Sequence, residues 1–359
     1  MNRDKLDATL QYKLNAETIH QAHHRARKGK TRRRDVVMAD NHIDLYVNHI
    51  ITVLQLGIYE PSKYHQFIVT DPKKRLVLAL PYQDRIAHQI LIEEFIKPYY
   101  LPRFIENSYA CIPDRGTHAA ANKIQGYMRI MRRNQGKYYI LKMDISKYFN
   151  SIDRDVLLKI LRHDIVDADL LNLINTIIFS DTQHTGVPIG NYTSQYFANI
   201  YLNKLDQYCK HNLGVKYYVR YMDDFIILAP NKQQAKQWYE AIQRYVEGYL
   251  HLKLNPKSRF YPSSHGLDFV GYKMTENYRH LRQRSKNKLN NIIWDYQHHY
   301  TAEDKFAASI AAWLGHAKHA NAKTYIRKRL WPYRDILLKH WKSAGPRSFF
   351  TKRPSLTGR

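Results

Sequence analysis

The chain has 359 residues and carries 57 Lys and Arg against 31 Asp and Glu, a formal net charge of +26. Its length allows a large core and two or three subdomains, and its two cysteines, Cys111 and Cys209, exclude a disulfide framework or a zinc cluster and suit a reducing cytosol. The excess of positive charge favours a nucleic-acid partner, and binding to an anionic membrane surface is the competing interpretation.

The N-terminal region, residues 1–40, is polar and helical in pattern and ends in a run of cations. A charge run is usually a solvated face, but so many cations in a short stretch favour contact with nucleic-acid phosphates. They are Arg25, Arg27, Lys28, Lys30, Arg32, Arg33 and Arg34. The polar start and the lack of an apolar run that could span a bilayer predict a cytoplasmic protein without a membrane partner.

Further along the chain, the pattern of predicted elements divides it into four more regions. Residues 41–136 mix helices with short strands, among them 75–80. Residues 137–283 alternate strands and helices, with a strand at 138–143 and helices at 155–162 and 194–210. From 284 to 344 the sequence is helical and basic, and residues 345–359 are typical of a flexible basic tail. We expect three tryptophans to anchor the helical part: Trp294, Trp313 and Trp331.

Two adjacent acids, Asp223 and Asp224, lie between β-prone runs at 215–220 and 225–229. This pattern predicts a hairpin whose turn carries both carboxylates. Like charges side by side are unfavourable unless they share a cation, and a pair of Mg²⁺ ions at a phosphoryl centre would supply it. An ordinary polar turn is the alternative, since Asp is common in turns.

A third acid, Asp144, ends the apolar strand predicted at 138–143. Taken alone, an Asp at a strand end is usually a cap or turn residue. On a strand next to the Asp223–Asp224 hairpin, it would complete a site for two metals, the triphosphate and the primer 3′-hydroxyl.

The motifs around these acids resemble the palm of a reverse transcriptase. The chain has Asp144-x₄-Phe149, then Gly186-x-Pro188-x-Gly190-x₃-Ser194-Gln195, then Tyr221-Met222-Asp223-Asp224. Outside the palm core, similar segments lie at 81–89 and 108–118 (fingers), 254–258 (the palm lysine segment) and 269–272 (the primer-grip hairpin). The resemblance covers roughly residues 20–320.

This resemblance implies an α+β right-hand polymerase that acts as an RNA-directed DNA polymerase. Fingers would occupy 41–136, a palm with a short antiparallel sheet 137–283 and a helical thumb 284–344. The catalytic residues would be Asp144, Asp223 and Asp224, with Ile145 as a further ligand of two Mg²⁺ ions, or of Mn²⁺ as a substitute. Tyr221 and Met222 would contact nucleic acid.

Within that superfamily, three segments resemble the reverse transcriptases of diversity-generating retroelements. They are 108–111, 147–153 and 189–195, and the basic residues 26–30 fit as well. Such enzymes copy a template-repeat RNA into cDNA and misincorporate opposite adenines, and the cDNA then diversifies a target gene. The resemblance also implies a small, basic, oligomeric accessory protein, which a structured RNA would bridge to this basic chain.

Two residues are candidates for nucleotide selection. Ile189 stands where accurate relatives have Gln, so it lacks an amide that can hydrogen-bond near the nucleotide, and discrimination should weaken. Phe149 matches the steric gate that excludes the ribose 2′-hydroxyl. For each of them, ordinary packing in the palm is the alternative.

Three cations are candidates for triphosphate contacts. Arg75 and Arg85 would reach it from the fingers with forked donors, and Lys257 would lie near the leaving pyrophosphate. A surface or structural role is the alternative for the two arginines, and contact with the RNA backbone is the alternative for Lys257.

Other functions compete. A retron enzyme usually has Val-Thr-Gly in the thumb, which is absent here, and intron maturases usually carry an extension after the thumb. A defence-type enzyme is harder to distinguish. A non-catalytic RNA-binding protein with a vestigial polymerase fold is a further alternative, but the intact set of three acids argues against it.

Overall fold

The computed structural model describes residues 5–70, 73–181, 185–341 and 348–350. Two compact units divide the chain. The first comprises Met1–Asp114, Lys142–Ile226 and Lys236–Arg259, and the second comprises Arg115–Leu141, Ile227–Ala235 and Phe260–Arg359. These units do not follow the predicted boundaries at 136 and 283, which stay predictions. Most of the predicted tail, 345–359, lies outside the described residues.

The first unit is mainly helical. Its helices are α1 Leu10–Lys13, α2 Ala16–Arg27, α3 Arg34–Asn41, α4 Ile43–Gln55, α5 Tyr82–Ile90, α6 Lys97–Tyr100, α8 Tyr148–Ser151, α9 Arg154–Asp164, α10 Ala168–Ile178 and α11 Tyr192–Gln207, and it holds most of α12 Lys232–Gly248. The π-helical turns Leu91–Ile96 and Tyr208–Asn212 follow α5 and α11.

Local sequence explains where several of these helices begin. Asn15 Oδ1 accepts from the Thr18 N–H at the start of α2, and the Asp153 carboxylate accepts from two N–H groups at the start of α9. Such caps satisfy backbone donors that have no partner inside the helix. In α10 five apolar residues repeat at the helical period and are buried: Leu170, Leu173, Ile174, Ile177 and Ile178.

A long, mostly buried helix, α11, runs through the core of the first unit. Twelve of its sixteen residues are buried, including the polar Asn199 and Asp206. A helix that is buried almost all round needs a partner for each of its polar side chains. Asp206 binds Tyr218 and Arg220, on the strand next to the acidic turn, and Asn199 binds the same Arg220 and the Ala110 carbonyl.

Two sheets position the candidate site. Strands β1 His65–Val69 and β2 Arg75–Ala79 form an antiparallel hairpin in the register His65↔Ala79 to Val69↔Arg75. The central sheet has the order β4-β5-β3-β6. Its strands are β3 Tyr139–Asp144, β4 Tyr218–Tyr221, β5 Asp224–Ala229 and β6 Arg259–Pro262. Most residues of β3 and β5 are apolar and buried, and the acids Asp144 and Asp224 stand at the strand ends.

The second unit contains α7 Thr117–Gln135 and four later helices, α13 Gln283–Gln297, α14 Glu303–Ala317, α15 Lys323–Leu330 and α16 Arg334–His340. It also contains an antiparallel sheet of β7 Leu267–Phe269, β8 Tyr272–Met274 and β9 Arg279–Leu281. The hairpin predicted at 269–272 is therefore present, with Val270 and Gly271 as its turn.

The predicted elements recur with small shifts. The strand at 138–143 is Tyr139–Asp144, the helix at 155–162 is Arg154–Asp164, and the helix at 194–210 begins at Tyr192 and becomes π-helical after Gln207. Among the described residues, no helix has the length and apolar character needed to cross a membrane.

The tryptophan prediction was wrong for Trp294, whose surface is 50% exposed. Its ring lies against His298 and Tyr300. Trp313 is buried as predicted, and its indole N–H donates to the Ser285 carbonyl at 2.8 Å. Trp331 is half-buried. Apolar character alone did not identify which indole faces the core.

Candidate active site

The acidic turn is a tight connection between β4 and β5. Strand β4 ends at Tyr221 and β5 begins at Asp224, so only Met222 and Asp223 lie between them. Met222 has a φ of 56°, in the left-handed region that residues with a Cβ rarely adopt. Both acids of the turn are half-buried. The predicted hairpin is confirmed.

Asp144 ends β3, next to β5 in the sheet. A later segment fixes its position. Asn255 Nδ2 donates to Asp144 Oδ2 at 2.9 Å, and the Asn255 N–H donates to the Asp144 carbonyl at 2.8 Å. Ser258 Oγ accepts from the Asp144 N–H at 3.1 Å. Both the backbone and the carboxylate of Asp144 are therefore held.

The three carboxylates share an environment that opposes their ionisation. Burial raises the pKa of Asp144, and burial together with the charge of Asp144 raises the pKa of Asp223. Burial raises the pKa of Asp224 to about 6, although Lys142, whose Nζ lies 3.5 Å from Asp224 Oδ2, acts in the opposite direction. Desolvated like charges in proximity produce such shifts.

Two cations from the β1–β2 hairpin region partly offset this repulsion. The charge of Lys73 opposes part of the rise in the pKa of Asp144, and the charge of Arg75 opposes part of the rise in the pKa of Asp223. Arg75 is exposed at the start of β2. The structure thus brings one predicted triphosphate contact, Arg75, into the field of the acids.

The residues present suit a divalent cation. The Oδ1 atom of Asp224 is buried and has no hydrogen-bond partner, which is unfavourable unless something else binds it. Carboxylate oxygens are the ligands that Mg²⁺ prefers. Within the described part of the chain, however, no three Asp, Glu, His or Cys side chains converge as a preformed metal site. The neighbouring Ile145, predicted as a metal ligand, has a buried side chain and forms a β-bridge with Leu254.

Phe149 lies five residues after Asp144 in the chain, on the short helix α8. The helix follows Lys147, which has a left-handed φ of 47°. The Phe149 carbonyl accepts from the Val187 N–H at 2.8 Å, so the segment that contains Gly186 packs directly on this backbone. The Phe149 ring is half-buried and is near enough to the surface to meet a ligand.

The Ile189 segment contacts the β1–β2 hairpin. The Leu78 N–H of β2 donates to the Ile189 carbonyl at 2.8 Å. Gly190 has a φ of +131°, and a Cβ placed there would lie 2.4 Å from the Leu78 carbonyl oxygen. Only glycine permits this approach. Ile189 itself is half-buried.

The other two predicted triphosphate contacts have different surroundings. Arg85 Nε donates to the Leu80 carbonyl at 3.0 Å, and its guanidinium lies near Lys30 and Arg33 on the wall of a cavity of about 770 Å³. Lys257 is exposed, and its backbone N–H donates to Asn255 Oδ1. Arg85 thus lies beside two of the N-terminal cations. Lys257 belongs to the segment whose Asn255 binds Asp144.

Several cations of the N-terminal run form ion pairs with acids of the protein itself. Arg25 pairs with Glu94 at 2.8 Å, Arg27 pairs with Asp40 at 2.7 Å, and Arg33 pairs with Asp35 at 2.9 Å. Lys30 is half-buried, and its ammonium donates to the Ala26 carbonyl at 3.3 Å. The exposed members are Lys28, Arg32, Arg33 and Arg34. Arg25 and Arg27 therefore have a structural role that their position in a charge run did not indicate.

Sequence reasoning missed two residues that hold the site. Asn255 lies in the palm lysine segment 254–258 and Arg220 in the β-prone run 215–220, and the sequence predicts no role in the site for either. Arg220 is fully buried, and its Nη1 donates to the Met222 carbonyl at 3.0 Å. A cation within a strand next to an acidic turn was the only local signal.

The family comparison agrees with this geometry. The reverse transcriptase family (RNA-dependent DNA polymerase) matches the chain over residues 70–274, more than half of its length. The chain belongs to the reverse transcriptase family. It is therefore an RNA-directed DNA polymerase, and all three candidate acids lie within the matched region.

Individual relatives of this reverse transcriptase are distant. Protein YkfC of Escherichia coli K12 is 24% identical over 273 residues, which is 64% of this chain and 70% of YkfC. The group II intron-encoded protein LtrA of Lactococcus lactis is 25% identical over 181 residues, 47% of this chain and 29% of LtrA. The alignment thus spans less than a third of LtrA.

Solved structures support the fold. Telomerase from Candida albicans, in complex with a fragment of telomeric RNA, superimposes with a TM-score of 0.51 at 12% identity. The match covers 85% of this reverse transcriptase and 62% of the telomerase chain. At this identity the likeness concerns the fold alone.

Proposed function

We propose that Asp144, Asp223 and Asp224 form the catalytic centre of this reverse transcriptase and hold two Mg²⁺ ions, for which Mn²⁺ can substitute. When bound, the ions would supply charge neutralisation at the transferred phosphoryl group. Asn255 orients Asp144, and Lys142 keeps Asp224 closer to its ionised form. The single observation behind this assignment is the buried Asp224 Oδ1 without a partner beside two other carboxylates of raised pKa.

We assign the selection of substrate to residues around these acids. Phe149 excludes the ribose 2′-hydroxyl. Arg75 contacts the triphosphate, since its charge already acts on the carboxylate of Asp223. Tyr221 and Met222 contact the primer–template strands. The exposed cations Lys28, Arg32, Arg33 and Arg34 bind RNA phosphates. Lys30 and Arg85 add charge next to Arg33, on the wall of the cavity that these three residues line.

We further propose that the enzyme belongs to the branch found in diversity-generating retroelements. It would copy a template-repeat RNA into adenine-mutagenised cDNA and act with an oligomeric, basic accessory protein bridged by RNA. The aliphatic Ile189 supports this proposal, because its carbonyl is fixed on β2 while its side chain offers no hydrogen bond.

A group II intron-type reverse transcriptase is the second candidate. The alignment with LtrA favours it. Both candidates use the same polymerase chemistry, and they differ in fidelity at template adenines.

Sequencing of cDNA made by the purified chain tests the proposal. The enzyme would extend a DNA primer on an RNA template of balanced composition, with Mg²⁺ and all four dNTPs. We expect substitutions concentrated opposite adenines. Errors spread evenly over the four template bases would favour the intron-type candidate. Asp223→Ala is the negative control. If the wild-type chain extends the primer no more than this variant does, the catalytic assignment is contradicted.

A further inference from the structure

A fully buried ion pair lies beneath the acidic turn. The side chains of Arg220, on β4, and Asp206, on α11, are each 0% exposed. Arg220 Nε donates to Asp206 Oδ1 at 2.7 Å, and Nη2 donates to Asp206 Oδ2 at 2.5 Å. This two-pronged geometry fixes the plane of the guanidinium.

The third arm of the guanidinium reaches the turn. Arg220 Nη1 donates to the Met222 carbonyl at 3.0 Å and to Asn199 Oδ1 at 3.1 Å. Asn199 and Asp206 lie seven residues apart, hence on one face of α11. The carbonyl immediately before Asp223 is therefore tied to the core helix.

The backbone of Arg220 is fixed as well. Its N–H donates to the Asn107 carbonyl at 2.9 Å, and its carbonyl accepts from the Tyr109 N–H at 3.0 Å. Asn199 Nδ2 donates to the Ala110 carbonyl at 2.8 Å. Ser108 thus forms a single parallel β-bridge with Arg220, and Arg220 has little freedom to move.

Stability alone is a weak reason for such a pair. Removing two charges from water is unfavourable, and apolar side chains of similar volume often do as well. Meanwhile Met222 adopts a left-handed backbone, which persists only when its surroundings enforce it. The hydrogen bond from Arg220 supplies that enforcement at the residue next to Asp223.

We propose that Arg220 is a positioning residue: fixed on Asp206, its guanidinium holds the Met222 carbonyl and so directs the Asp223 carboxylate toward the reaction. The proposal rests on the proposed catalytic role of Asp223. Lysine cannot replace arginine here, because one ammonium cannot bridge both carboxylate oxygens and still reach Met222 in this geometry.

Rapid-quench incorporation of one nucleotide on an RNA template with a DNA primer tests this role. The burst rate constant reports on active molecules, and the burst amplitude reports how many molecules are active. For Arg220→Lys we expect the rate constant to fall roughly tenfold to a hundredfold, with nucleotide affinity unchanged. A lower amplitude at a wild-type rate constant would indicate a structural role only and overturn the proposal.

Two more variants distinguish a loss of positioning from a loss of folding. Arg220→Met with Asp206→Leu removes both charges together, and we expect it to fold and to be as slow as Arg220→Lys; a wild-type rate constant would overturn the proposal. Tyr218→Phe is the matched control, because it deletes the Tyr218 hydrogen bond to Asp206 and leaves every bond of Arg220 in place. We expect it to keep the wild-type rate constant, and a loss as large as that of Arg220→Lys would count against a specific role of Arg220.

Asp223→Ala separates this proposal from the catalytic assignment. If Asp223→Ala is inactive while Arg220→Lys is as fast as wild type, only the positioning role fails. If Asp223→Ala retains the wild-type rate constant, the catalytic assignment fails and the positioning role fails with it.

Discussion

Asn255 donates a hydrogen bond of 2.9 Å from Nδ2 to Oδ2 of Asp144, a residue 111 positions earlier in the chain. The same asparagine is bound through its backbone N–H to the Asp144 carbonyl. The orientation of this carboxylate therefore depends on the segment 254–258 as much as on β3.

Loss of the Asn255 side chain should slow polymerisation. We expect Asn255→Ala to reduce the rate of nucleotide incorporation roughly tenfold to a hundredfold, since a freed carboxylate loses its geometry. Asn255→Asp should be slower still, because it adds a negative charge beside Asp144. Primer-extension rates, with thermal unfolding as a check on folding, measure both. A wild-type rate for Asn255→Ala would contradict the role.

Asp224→Asn should stabilise the metal-free protein while it abolishes activity. Burial raises the pKa of Asp224 to about 6 in the folded state, above the unfolded value, so the folded protein binds the proton more tightly. The associated stability is complete below pH 4 and is lost as pH rises through about 6. At pH 7.5 the charged carboxylate therefore destabilises the fold, by about 1–3 kcal/mol.

Chemical denaturation without Mg²⁺ measures this difference. We expect the variant to exceed the wild type at pH 7.5 and the two to converge near pH 4. Added Mg²⁺ should raise the unfolding temperature of the wild type more than that of the variant, since binding to the folded state stabilises it. Equal stabilities at pH 7.5 would show that Asp224 is not desolvated.

Gly190→Ala should impair the enzyme severely. The new Cβ would lie 2.4 Å from the Leu78 carbonyl oxygen, at a φ of +131°, so the contact between β2 and the Ile189 segment must open. We expect a loss of more than about 2 kcal/mol in the free energy of unfolding. Gly126→Ala is the control, because Gly126 lies inside α7 with open space around its Cβ position. It should be neutral or stabilising by about 0.5–1 kcal/mol.

Phe149→Ala should admit ribonucleotides. A smaller side chain removes the predicted clash with the 2′-hydroxyl, so the preference for dNTPs over rNTPs should fall by roughly a hundredfold or more. Single-nucleotide incorporation with each nucleotide type measures the ratio. Phe149→Tyr keeps the ring and should keep the preference. Continued rejection of rNTPs by Phe149→Ala would remove the steric-gate assignment.

Ile189→Gln should lower errors opposite adenine. The amide regains a hydrogen-bonding group that aliphatic side chains lack, and discrimination between nucleotides should improve by roughly tenfold. Sequencing of cDNA from the wild type, Ile189→Gln and the aliphatic control Ile189→Leu tests this. Unchanged error spectra in Ile189→Gln would refute the link between Ile189 and fidelity.

Local sequence patterns were sufficient for the elements that carry the acids. Apolar, β-prone runs next to acids predicted the hairpin at Tyr221–Asp224 and the strand before Asp144, and the family motifs added Phe149, Gly190 and Lys257. These signals are local, because backbone propensity and side-chain periodicity act over a few residues.

Tertiary structure alone decided which distant group each polar side chain meets. It paired Asn255 with Asp144, buried Arg220 on Asp206 under the turn, and joined Arg25 to Glu94 and Arg27 to Asp40. It also left Trp294 exposed. A buried polar group must find a partner, but the sequence around that group does not specify which remote segment provides it.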